Sequence, residues 1–210
     1  MIFKDLKAKI IFLFSVITYL IAGLSALICN RITPNGYGLL VGLIFTTIAF
    51  LFHVLAKKKA PLLFIVSCFM NAIAAGFSIG SYFSYTKIFL PVMTVVFCFI
   101  PYLILTYLSC LLISKVKPKK KSGMILGFVL LILFILCIIF WHNSTLLSFS
   151  FFTLLIVLLY FLLCLKTLGT PRNILSDLSF TSFGFYLLIA SVVIMIQSKR
   201  VNKPMETSSK

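Results

Sequence analysis

Seven apolar runs of about 20 residues each, separated by short polar breaks, make up nearly the whole chain. Wound as a helix, such a run is roughly 30 Å long, which is the thickness of a bilayer's hydrocarbon core. Inside lipid every backbone N–H and C=O must find a partner within the protein, so only helices and closed barrels span it. Barrel strands need about 10 residues. The pattern therefore predicts an all-α, polytopic transmembrane helical bundle with about seven spans.

The spans fall at about 10–29, 38–56, 61–86, 89–114, 123–141, 146–165 and 177–197. Turn chemistry at Pro34-Asn35-Gly36 and Gly169-Thr170-Pro171 supports two of the breaks. The reading is one bundle over residues 1–198, followed by a short cationic polar tail over 199–210. No soluble domain of this size hides a chain that is 62% hydrophobic and 10% charged.

The net charge of +16 comes from 19 Lys+Arg against 3 Asp+Glu. The basic residues cluster at helix ends, where they meet anionic lipid headgroups. Once the helices are embedded no basic surface is left for nucleic acid, so the expected partners are the lipid bilayer and its anionic headgroups, with a membrane-protein partner as a further option.

Lysine placement sets the orientation, because cytoplasmic loops collect Lys and Arg. Lys4, Lys7, Lys9, Lys57–Lys59, Lys115, Lys117, Lys119–Lys121, Lys166 and Arg172 fall on one side if the chain alternates. The opposite loops hold Arg31 and Lys87 alone. The N-terminus is then cytoplasmic. Lys199, Arg200, Lys203 and Lys210 oppose a full seventh crossing, yet 178–196 is long and apolar enough to span. The reading favours a crossing and an extracytoplasmic C-terminus. The first run is long for a signal peptide and is read as a retained helix. The excess of Lys over Arg, with abundant Phe and Ile, points to a low-GC bacterium and its cytoplasmic membrane.

Helix 3 differs from the Leu, Ile, Phe and Val of the other runs. Cys68, Ala72, Gly76, Gly80 and Ser84 recur every four residues, a small-xxx-small stripe that admits another helix backbone. Asn71, Ala75, Ser78, Tyr82 and Tyr85 form an adjacent polar stripe. Asn71 lies near mid-membrane and needs a hydrogen-bond partner, either across to a neighbouring helix or in a polar cavity. In helix 4, Pro91 suits the first turn. Pro101 is interior, where it frees a backbone carbonyl and kinks the helix. The candidate cavity is thus drawn from Asn71, Ser78, Tyr82, Tyr85 and Pro101, between helices 3 and 4.

Other features carry less. Gly76-Phe77-Ser78-Ile79-Gly80 has the G-x-S-x-G spacing of a serine hydrolase, but a hydrolase elbow needs a strand–turn–helix setting. His53, one turn before Lys57, reads as an interfacial side chain or one bonded to a loop. Trp141 and His142 read as an outer interfacial end. Ser176 or Asp177 suits the cap of helix 7. Cys29, Cys68, Cys98, Cys110, Cys137 and Cys164 show neither CxxC spacing nor a nearby His, so they read as small buried hydrophobes. Asp5, Asp177 and Glu206 are the only acids, and none is deep in a span. Proton-coupled pumps and metal-dependent hydrolases usually require such groups. No cofactor or metal is expected. Helices 1–3 and 5–7 show no convincing repeat. Rhodopsin-like and ceramidase-like proteins share the helix count, but helix 7 has neither Lys nor His to match theirs.

The functional expectation is a permease-like or ligand-binding membrane protein, more non-enzymatic than enzymatic. Its alternatives are a scaffold that binds a partner helix through the small face of helix 3, and a lipid-modifying enzyme.

Overall fold

The computed structural model describes residues 6–32, 37–58, 60–115, 127–133, 135, 145–167 and 173–201. Seven helices are found among them: α1 (Leu6–Ile32), α2 (Tyr37–Lys58), α3 (Leu63–Tyr85), α4 (Val92–Lys115), α5 (127–133), α6 (Thr145–Thr167) and α7 (Ile174–Val201). All except α5 are long and apolar enough to cross a membrane. The protein is a polytopic helical bundle, as the spacing of the runs predicts.

Close backbone approach decides the arrangement. α3 is the central helix and packs on α1, α2 and α7. A Cβ placed on Gly76 would collide with the Ala22 carbonyl oxygen, and would lie 2.6 Å from the Ser25 Cβ. A Cβ on Gly80 would lie 2.5 Å from the Cys29 Cβ and 2.6 Å from the Ala26 carbonyl oxygen. The small stripe of α3 is therefore filled by the small residues of α1. On the side toward α2 the glycines belong to α2. A Cβ on Gly38 would come within 2.8 Å of the Phe77 carbonyl oxygen, and one on Gly42 within 2.9 Å of that of Ala74. In lipid, where no hydrophobic force draws helices together, such contacts supply the van der Waals energy of packing.

The second half of the bundle is aromatic. α4 packs on α6 and α1, and α6 also meets α7. Tyr19 stacks on Tyr102 at 4.4 Å between ring centroids. The Tyr19 hydroxyl donates to the Val95 carbonyl at 2.8 Å, and the Tyr102 hydroxyl to the Ser15 carbonyl at 2.8 Å. The Tyr160 and Thr18 hydroxyls are bonded at 2.7 Å. Each phenol is thereby satisfied in a dry interior. Cys98 lies beside Ser150 and Cys110 beside Cys164, so α4 and α6 run in the same direction.

Several element ends differ from the sequence reading. α1 starts at Leu6, not near residue 10, and takes Lys7 and Lys9 into its first turns. Their long stems let the ammonium groups reach headgroup level from within a helix. α7 continues to Val201, so it absorbs residues 199–201 of the expected tail. Its cap is Asn173, whose Oδ1 accepts from the Leu175 N–H at 3.1 Å, in place of Ser176 or Asp177. Asp177 sits in the first turn, at the positive end of the helix, and pairs with Lys166 at 3.4 Å.

The turn between α3 and α4 is held by Asn30 at the end of α1. Its Nδ2 donates to the Ile88 carbonyl at 3.1 Å, and its Oδ1 accepts from the Leu90 N–H at 2.8 Å. Lys87 occupies the left-handed position of this turn, with φ 56°. The turn at 34–36, the loop at 116–122, the 142–144 and 168–172 breaks, Cys137, Trp141, His142 and the tail from 202 lie outside the described residues.

Candidate functional site

Three helices meet around a cleft of about 170 Å³. α2 supplies Phe50, His53, Val54 and Lys57, which the i, i+3, i+4, i+7 spacing places on one face. α3 supplies Ser67 and Asn71 as the floor. α7 supplies Ser179, Phe180 and Phe183. α2 and α7 each pack more extensively on α3 than on each other, and the cleft lies in the gap between them. Its volume is below the roughly 300–1,000 Å³ of drug-sized pockets, so it suits a small ligand or one part of a larger one.

The polar atoms of the floor are tied together across the three helices. Ser67 Oγ donates to the Ala49 carbonyl at 2.8 Å, and Ser179 Oγ donates to Ser67 Oγ at 2.8 Å. His53 Nδ1 lies 2.8 Å from Ser179 Oγ. A carbonyl only accepts, so the Ala49 oxygen fixes the direction of this chain. His53 Nδ1 must then carry the proton and donate to Ser179, which leaves Nε2 as the ring's uncommitted acceptor. The ring is also held edge-on against Phe64, with centroids 5.2 Å apart.

Asn71 is 1% exposed and uses both ends of its amide. Thr46 Oγ1 donates to Asn71 Oδ1 at 2.6 Å, and Asn71 Nδ2 donates to Ser182 Oγ at 3.1 Å. Ser182 in turn donates to the Ser179 carbonyl at 2.7 Å. Asn71 thus joins α2 to α7 through α3 and borders the cleft as well.

The remaining candidates of the polar stripe lie elsewhere. Ser78 is buried and donates to the Ala74 carbonyl of its own helix at 3.0 Å. That bond and the surrounding helix give the G-x-S-x-G spacing no elbow. Tyr82 is buried with its ring against Phe83 and Phe152, and Tyr85 is half-buried near the other end of α3. Pro101 is on the exposed side of α4 and faces lipid. α4 lies against α1 and α6, so α3 and α4 do not form the wall pair expected from the sequence. In the small stripe, Cys68 and Ala72 are buried and Ser84 is half-buried. With α1 seated on Gly76 and Gly80, that face is not open to a second protein.

Sequence reasoning missed the part played by His53, which bonds to α7 instead of standing at an interface or reaching a loop. It also missed Ser179 and Ser182, one turn apart on α7, and the Gly38-x-x-x-Gly42 spacing of α2. Ser179 does not resemble an activated nucleophile. It is 1% exposed and its proton is directed to Ser67, away from His53. Among the described residues no group of three or more His, Cys, Asp or Glu could hold a metal ion.

Fold and cleft together define a multi-pass membrane protein with a polar-floored pocket near the Lys57 end of the bundle. Comparison of the chain with known protein families, with characterised proteins and with solved structures finds no match.

Proposed function

We propose that the chain is a ligand-binding protein of a bacterial cytoplasmic membrane, with its site in the cleft between α2, α3 and α7. The observation that carries this reading is the cleft itself. A gap bordered by His53, Asn71 and Ser179 interrupts an apolar bundle, and the hydrogen bonds of the floor hold its shape without a ligand. A preformed site of this kind needs little ordering when a ligand arrives. Its position close to one end of α2 supports capture at one membrane face more directly than passage through the bilayer. The lysine distribution makes that face cytoplasmic, with the N-terminus on the same side and the C-terminus outside.

The test is to extract organic-soluble and water-soluble compounds from the purified wild type and from Val54→Trp. Val54 borders the cleft but takes no part in the bonded floor, so the indole fills the space and spares the network. A compound retained by the wild type and lost from Val54→Trp is the expected result. Identical extracts from two folded proteins would refute a binding role for the cleft.

A further inference from the structure

We infer that the ligand is a lipid of the surrounding membrane: an anionic phospholipid that enters sideways between α2 and α7, lays an acyl chain along the phenylalanines and sets its phosphate beside Lys57. This inference rests on the proposed binding role of the cleft and names its ligand class.

The opening of the cleft is the first argument. Phe50, Val54 and Phe180 border it and are 50%, 38% and 61% exposed. Phe50 and Phe180 lie about two turns inside the ends of their spans at Lys57 and Ile174, so in a chain that crosses a membrane their exposed rings face acyl chains and the cleft opens into hydrocarbon just below the headgroups. The floor is the second. The hydroxyls of Ser67 and Ser179 and the amide of Asn71 are bonded to one another and to neighbouring helices. They offer an incoming molecule carbon walls and few free polar atoms. A water-soluble anion would lose its hydration there with little in return, whereas an acyl chain loses nothing.

Charge is the third argument. Lys57 lies one turn beyond His53 on the same face of α2 and is exposed at the end of the span. Lys166, a second cation near the rim, is already paired with Asp177 and lies over the Phe180 ring at 5.4 Å. Lys57 has no carboxylate within ion-pair distance among the described residues. It stands at headgroup height with the groove running away from it into the bilayer, which is the layout of a phosphate ester on a long chain. His53 lines the groove one turn before Lys57, and its Nε2, not used by the Ser179 bond, is an acceptor for a headgroup hydroxyl.

The experiment is native mass spectrometry of the full chain released from nanodiscs that contain phosphatidylglycerol and phosphatidylcholine of identical acyl chains in equal amounts. The wild type should retain one phosphatidylglycerol with about fivefold preference, the effect of one lysine at a membrane surface. Lys57→Gln should lose most of that preference, and Val54→Trp should lose the retained lipid itself. sn-Glycerol 3-phosphate at millimolar concentration should displace nothing. Equal retention of both lipids by the wild type, or unchanged retention by Val54→Trp, would overturn the inference. Displacement by glycerol phosphate would make the ligand a free phosphate ester. A water-soluble compound in the extraction experiment that is lost from Val54→Trp would also end the lipid assignment while leaving the cleft a binding site.

Discussion

Asn30 sits where α1 ends and gives its amide to backbone that no helix serves. Leu90 is 0% exposed, so its N–H has no water to turn to if the Asn30 oxygen is removed. Asn30→Ala should cost about 1–3 kcal/mol, the desolvation penalty of an orphaned buried donor. Asn71 is different, because its partners have alternatives. The Thr46 hydroxyl can turn back to a carbonyl of its own helix, Ser182 already donates to the Ser179 carbonyl, and interhelical bonds in membranes contribute only about 0.6 kcal/mol each on average. Asn71→Leu should therefore cost about 1 kcal/mol, less than Asn30→Ala. Reversible unfolding in mixed micelles gives the order of the two costs. A larger loss for Asn71→Leu would show that the floor cannot relax in this way.

At the scale of helices, stability depends on which glycines meet backbone. Gly76 and Gly80 lie against α1, so leucine at either position has to push two helices apart. Each substitution should cost at least the roughly 1–3 kcal/mol typical of overpacking, read as lost folded yield in detergent and a lower Tm. Gly184 has nothing within 4 Å of where a Cβ would stand. Gly184→Ala should be neutral or stabilise by up to about 1 kcal/mol through helix propensity, and Leu158→Val on α6 should be mild. Glycine variants of α3 that match the wild type in Tm would contradict the α1 contact. The four-residue period made the small face of α3 legible in the sequence. The same period in Gly38 and Gly42 is a weaker signal, because two glycines in a Leu-rich run stand out less than five small residues at four-residue spacing. The partner of each face was not legible, since a period reports a face and not what covers it. For the same reason Pro101 gives a kink signal in the sequence that does not tell a cavity wall from the lipid-facing side on which it lies.

At the scale of the whole molecule, six of the seven expected spans are long apolar helices, and their length followed from hydropathy because the bilayer imposes it; of the fifth, 123–141, only residues 127–133 and 135 are described. The cleft did not follow from hydropathy. It requires residues 50–57, 67–71 and 179–183 to converge, and helical periodicity holds no information about convergence between helices distant in the chain. Orientation rests on the lysines and is tested by single-cysteine variants in a background without the six native cysteines. Asn35 and Asn143 variants should react with an impermeant maleimide from outside, and Lys58 and Lys119 variants only after the membrane is opened. A Ser208 variant should react from outside if α7 crosses completely. External labelling at Lys119 would reverse the orientation and move the cleft to the outer face. The claim that the α2–α3–α7 cleft is the functional site is tested most directly by an experimental density map of the full chain in nanodiscs containing phosphatidylglycerol. The account predicts elongated density between Phe50 and Phe180 that ends beside Lys57. A cleft closed by direct contact of α2 with α7, with no density between them, would contradict it.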